Sequence, residues 1–139
     1  MELPSSLVAS QIERGSIFHS TIFEDIDHGK FFIIIGVSED EVAGFFFINS
    51  NIPRFMQDKP EQLALQYPLR HRLYNFLRYD SFVEASELIV KKKSDILKSI
   101  NEGITEFKGC LGSEDLENIL AMVRVSKVFS KRDKKRFFL

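Results

Sequence analysis

The sequence predicts a β-rich α+β domain whose short, strongly curved strands close into a small barrel with helices covering its ends. Three observations carry this expectation. The chain has 139 residues, the length of one ordinary domain, and at that size roughly 68% of the unfolded surface can be buried without disulfide or metal staples. Two apolar runs, residues 31–35 and 42–48, are separated only by a short polar turn, as in strands buried on both faces. The aromatic residues are fourteen Phe, three Tyr and no Trp, and Phe supplies buried area without a polar handle, so most of this content is core rather than binding surface. Hydrophobic residues at 44%, charged residues at 28% and a net charge of −1 exclude a mostly disordered or collagen-like chain. The single cysteine, Cys110, cannot form an internal disulfide or a Cys-based metal cluster, and its apolar neighbours suit an inert buried thiol.

The chain reads as one domain over 1–139, with a lead-in at 1–13 and a basic tail at 130–139. After the turn at Arg14-Gly15, residues 16–23 alternate as a strand. The acidic loop of Glu24, Asp25 and Asp27 ends at His28-Gly29, where Gly can take positive φ. Residues 30–35, closed by Gly36, read as a central strand, 38–41 as a turn and 42–48 as the next strand. Short turns make an antiparallel meander the economical arrangement. A loop follows at 49–53. Asp58 and Glu61 then suit the start of a helix over 60–66, which Pro68 terminates. Residues 81–90 read as one strand with a bend or bulge. Ser94 caps a helix carrying Ile96, Leu97 and Ile100, Gly103 stops it, and 104–111 form a last strand. Glu114 and Asp115 suit the positive end of a helix whose apolar face is Leu116, Ile119, Leu120 and Val123, running to about residue 129.

The N-terminus lacks a basic region and a sustained apolar stretch, and no apolar run approaches a membrane span, so a cytoplasmic protein without membrane contact is expected. Charge is uneven. Residues 131–139 hold Lys131, Arg132, Lys134, Lys135 and Arg136 against Asp133, on an otherwise acidic body. A solvated terminus is the expectation, with contact to RNA phosphates as the alternative.

No cofactor or metal is expected: His19, His28 and His71 lack ligand spacing, and there is no phosphate-binding glycine loop, nucleophile elbow or zincin motif. The segment 67–81 is the informative one. It interleaves Arg70, Arg72 and Arg78 with Tyr67, Tyr74, Phe76 and Tyr79, the residue types that hold phosphates and stack on bases of a single strand. Arg78-x-Asp80 sets opposite charges on one side of an extended chain. Such a couple can remove a 2′-hydroxyl proton and stabilise the phosphorane of a ribonuclease. From spacing alone, a surface ion pair contributing about 0–1 kcal/mol is the commoner arrangement.

Taken in order, the segments resemble the PemK/MazF (Kid-like) toxin family, related in fold to CcdB. Arg14-Gly15-Ser16-Ile17-Phe18 is similar to the family's opening RGDIv strand, and Gly29 to Ile35 stands where the family has G-x-x-RP-x-V-V-l. Phe46-Phe47-Ile48-Asn49-Ser50 stands at v-v-P-i-T-S, residues 77–83 at the segment carrying R-x-D or D-S-V, and residues 109–116 at iG-x-L-s-x-e-d-l. The similarity covers roughly residues 14–129. Lys30-Phe31 replaces the family's Arg-Pro and Asn49 its Thr, while the segment 51–80 is longer and helical.

The resemblance implies a small SH3-like β-barrel with a short inserted helix and a C-terminal helix, which dimerises and cuts single-stranded RNA without a metal. It implies that Arg78 and Asp80 are the catalytic couple, that Asn49 and Ser50 bind the scissile phosphate, that Lys30 keeps a cation near it, and that Glu24 or Asp25 is an accessory acid. Arg70 and Arg72 join as RNA-binding residues, and the surplus of Phe can line the seam of a homodimer. An antitoxin-like protein is the expected partner. The alternative is a non-catalytic barrel that binds nucleic acid or a protein, as CcdB-like members act on a topoisomerase rather than RNA.

Overall fold

Alternation along the strands decides where the two faces of the sheet lie. The computed structural model describes residues 11–23 and 28–139; the first ten residues of the lead-in, and the expectations for Glu24 and Asp25, lie outside the described residues. Strands β1 (Ser16–Ser20), β2 (Lys30–Val37) and β3 (Val42–Asn49) form the expected antiparallel meander, with Ile17 opposite Ile33 and Phe32 opposite Phe47. Successive side chains point to opposite faces. Ile33 and Ile35 therefore join Ile17, Phe46 and Ile48 in one core cluster, while Phe32 and Ile34 join Phe18 and Phe45 in the other. Both faces of the meander are buried, which is why its strands read as unbroken apolar runs.

The rest of the sheet is built outwards from this meander. β4 (Gln66–Leu69), β5 (Ser81–Glu84), β6 (Ile89–Lys92) and β7 (Thr105–Cys110) complete seven antiparallel strands in the order β4-β5-β3-β2-β1-β7, with β6 also on β3. β5 pairs with Ile48 and Asn49 of β3, and β6 pairs with residues 42–45 on the same edge. The register steps by three residues between them, so 85–88 form the bend expected within 81–90. β4 shortens the helix expected over 60–66, which ends at Leu63, and it includes Pro68; Pro cannot donate to a ladder, and it is tolerated because β4 is an edge strand.

The α+β class holds, but the sheet is open where the sequence led us to expect a closed barrel. Among the described residues no pairing joins β4 to β7. Closure is not needed to bury the strands, because helices cover each face. Helix α1 (Pro60–Leu63) is short; α2 (Lys93–Asn101) lays Ile96, Leu97 and Ile100 on the Phe-rich face, and α3 (Ser113–Val125) lays Ile119, Leu120 and Val123 on the other. Two of the edge strands are guarded against pairing, β4 by Pro68 and β7 by a bulge beside Glu106 and Lys108, whose side chains form a 3.2 Å ion pair. The expected helix signals shift by a residue or more. No side chain caps α1 or α2, whose N-caps are Lys59 and Lys92 rather than Asp58 and Ser94, and α3 ends at Val125 rather than 129.

The largest correction concerns the basic tail, which is not solvated. Residues Lys131–Asp133 form a short helix α4 that continues into a π-helical turn, Lys134–Phe138, and Phe137 and Phe138 are 1% and 0% exposed. Phe137 fills a slot made by Gly36 and Gly44, which face each other across β2 and β3. Arg14 donates to the Ile35 oxygen at 2.7 Å and to the main-chain oxygens of Phe137 and Leu139 at 3.0 and 2.9 Å; Arg124 donates to that of Phe138 at 2.6 Å. Phe138 packs on Phe46 and Phe129 with ring centroids 6.0 and 5.0 Å away. Phenylalanines thus fill the two cores, and Phe55 alone has an exposed side chain, which leaves little Phe for the expected dimer seam. Cys110 is exposed rather than buried, at the end of β7.

A cationic cleft as the candidate functional site

The cleft forms where β2 begins and β3 ends. Phe31 pairs with Ile48, so the next positions, Lys30 and Asn49, face each other at the margin of the sheet. The loop running into β5 closes the other side. Together His28, Gly29, Lys30, Phe31, Asn49, Ser50, Arg78, Tyr79 and Ser81 surround a cleft of about 280 Å³ floored by Ile48 and Leu77. Gly29 keeps the entry tight for a reason other than positive φ. Its α-carbon lies against the His19 ring, where a Cβ would come within 2.0 Å, and His19 itself packs edge-on to Phe31 at 4.7 Å.

Charge and hydrogen bonds give this cleft its character. The Lys30 ammonium lies 5.4 Å from the centre of the Phe47 ring and donates to Asn49 Oδ1. Burial lowers its pKa, an effect that the negative charge of Glu84 opposes. Arg78 is exposed and forms no ion pair among the described residues, so its guanidinium remains available to an anion. Ser81 Oγ donates to the Tyr79 oxygen at 2.9 Å, and Tyr79 itself is 64% exposed beside the cations. Two cations, an imidazole, an amide and three hydroxyls around a small concavity form a set suited to a phosphodiester.

The sequence-derived residues divide here. Lys30, Asn49, Ser50 and Arg78 are brought together. Asp80 is not among the residues lining the cleft; its carboxylate accepts the His71 N–H at 2.8 Å and so secures the 3₁₀ turn His71–Leu73. Arg70 precedes that turn and Arg72 lies within it, both exposed and outside the cleft lining. The tyrosines also part company. Tyr67 and Tyr74 donate to the two oxygens of Asp115 at 2.7 and 2.5 Å, and Tyr74 accepts the Gly112 N–H at 2.9 Å. Burial, with the Asp115 hydrogen bond, pushes the Tyr74 hydroxyl up to about 12. These two rings anchor the start of α3 and are not free to stack on bases. Phe76 packs on Phe31 at 5.7 Å, so Tyr79 is the remaining aromatic for that task.

Sequence reasoning missed Glu84, His28 and Ser81. Glu84 stands on β5 at 8% exposure, and its only sequence signal is a carboxylate following the strand pattern Phe82-Val83. Burial pushes its carboxyl up, while a hydrogen bond from Asn49 and the Lys30 charge act against that shift. No helix of the described residues is long and apolar enough to cross a membrane. No protein-family model matches the chain, and no curated protein sequence matches it significantly.

Proposed function

We propose that the cleft binds the backbone of single-stranded RNA, and that the protein is a toxin-like, metal-independent endoribonuclease of the PemK/MazF type. The observation that carries this reading is the convergence of Lys30, Asn49, Ser50 and Arg78 on one concavity beside the exposed Tyr79. In this reading Asn49 and Ser50 orient the scissile phosphate, and Arg78 with Lys30 stabilises the extra charge of the phosphorane. Asp80, released from the His71 amide, takes the 2′-hydroxyl proton. The 2′ oxygen then bonds to phosphorus, the bond to the 5′ oxygen breaks, and that oxygen takes up a proton from water. The products are a 2′,3′-cyclic phosphate and a 5′-hydroxyl end. Tyr79 stacks on a base, and Arg70 and Arg72 meet flanking phosphates.

The same proposal includes a divergent SH3-like barrel, a homodimer, an antitoxin-like partner in a type II pair, and a cytoplasmic setting. Support for the barrel comes from the β1–β2–β3 meander with β7 returning beside β1, and from the register shifts at Ile17/Phe18 and Ile34/Gly36 that bend these strands. One observation favours a second reading, a non-catalytic module that binds nucleic acid or a protein: the Asp80 carboxylate is engaged by the His71 N–H. Incubating purified protein with single-stranded RNA in EDTA separates the two. Cleavage that disappears in Arg78→Ala supports the enzyme. Salt-sensitive binding with intact RNA supports the module.

A further inference from the structure

The cleft wall continues into a buried proton site. Residues in register on neighbouring antiparallel strands point to the same face. Asn49 lies opposite Phe82, so Lys30, Asn49, Phe82 and Glu84 share one face of the sheet. Lys30 donates to Asn49 Oδ1, and Asn49 and the Lys30 charge both act to lower the Glu84 carboxyl against the rise that burial causes. On the other side β4 sets Gln66 directly opposite Glu84, and both are 8% exposed. Gln66 Nε2 donates to the Gln62 oxygen at 3.1 Å and to Ser86 Oγ at 3.2 Å, but its Oε1 is buried without any donor. Such an orphan acceptor is costly. Across that register a protonated Glu84 has an O–H to offer it, whereas an ionised Glu84 offers only a second acceptor.

We infer that Glu84 is a proton-linked control on the cleft: protonated, it bonds Gln66 and leaves the Lys30 charge to a phosphodiester, and ionised, it holds that charge through Asn49. The inference rests on the proposed reading of the cleft as a phosphodiester site. Among the described residues, the charged groups that act on Glu84 are Lys30 from β2 and Glu87 from the bend after β5, with His28 and Arg78 at the cleft mouth. Burial raises the Glu84 carboxyl and Glu87 adds to the rise, while Asn49 and Lys30 oppose it. An anion bound at Lys30 favours the protonated form, so binding takes up a proton and affinity falls as pH rises through the Glu84 titration.

The test uses the full chain and a single-stranded 2′-O-methyl RNA, which lacks the attacking hydroxyl, with binding followed by fluorescence anisotropy at constant ionic strength. Between about pH 5 and pH 8 the wild type is expected to lose about tenfold in affinity relative to Glu84→Gln, which stays neutral throughout. Titration of other groups is common to both proteins and drops out of the comparison. Carbon NMR of the Glu84 carboxyl in the ligand-free wild type, which needs no variant, is expected to give a midpoint above the ordinary 4.5. Parallel pH curves for the two proteins, or a Glu84 midpoint at or below 4.5, overturn this inference alone. Absence of binding at every pH overturns the phosphodiester reading as well.

Discussion

Replacing Gly36 with Ala tests whether the last residues of the chain are part of the core. A Cβ at Gly36 would lie 2.1 Å from the Phe137 main-chain oxygen and 2.9 Å from its carbonyl carbon, and a backbone atom cannot rotate out of the way. The turn Lys134–Phe138 must then leave its slot. Departure exposes Phe137 and Phe138, now 1% and 0% exposed, at about 1.5–3 kcal/mol for each ring, or roughly 3–6 kcal/mol together. That is an upper bound, because unfolded chains already bury some apolar surface. A domain of this size holds about 5–15 kcal/mol, so the urea midpoint is expected to fall by more than about 1 M. Trypsin is expected to cut faster at Lys134, Lys135 and Arg136. Gly103→Ala is the control. Nothing lies within 4 Å of a Cβ there and φ is +77°, so it carries only left-handed strain of about 1 kcal/mol. A solvated tail predicts the opposite sign for Gly36→Ala, because Ala is better than Gly inside a strand by about 0.5–1 kcal/mol. An unchanged or raised midpoint refutes the docking.

Four further substitutions probe the anchor, the buried carboxyl and the cleft. Tyr74→Phe removes the hydroxyl shared by Asp115 and the Gly112 N–H, and is expected to lose about 1.5–3 kcal/mol in denaturant unfolding; a loss below about 0.5 kcal/mol contradicts the anchoring role. For Glu84, whose folded pKa is raised above 4.5, the folded state keeps its proton while the unfolded state loses one, so stability falls as pH rises from 4.5 through the folded value. Glu84→Gln abolishes that fall, and thermal melts of the two proteins that stay parallel across this window contradict the assignment. Arg78→Ala and Lys30→Ala are each expected to weaken single-stranded RNA binding and to flatten its salt dependence by about 0.7 in log–log slope. An unaltered slope in both removes these cations from the interface.

The parts legible in the sequence are those where one physical signal acts alone. Residues 31–35 and 42–48 are apolar on both faces because helices cover both, and β2 and β3 follow directly. Leu116, Ile119, Leu120 and Val123 keep helical spacing, and α3 follows. Mixed signals hid the rest. Five cations around Asp133 mask Phe137 and Phe138, and only the facing pair Gly36 and Gly44 hints at what fills the space between the helix and the sheet. Pro68 conceals β4, because a proline argues against a strand everywhere except at an edge. Closure into a barrel is a long-range property that no local pattern encodes. At the cleft, Arg78 is legible in the Arg- and Tyr-rich segment 67–81, and Lys30, Asn49 and Ser50 only in the order of the segments, but the roles of Tyr67 and Tyr74 depend on Asp115, some 40 residues or more away in sequence. Glu84 escaped notice because burial, which gives it its character, is not visible in a strand of four residues.

The most direct measurement is the fate of single-stranded RNA mixed with the protein in EDTA, resolved by gel and by the chemistry of the new ends. Fragments carrying 2′,3′-cyclic phosphate and 5′-hydroxyl ends are expected, produced by the wild type and lost in Arg78→Ala with the fold intact. RNA that stays whole at micromolar wild-type protein, or fragments produced equally well by Arg78→Ala, contradicts the endoribonuclease reading.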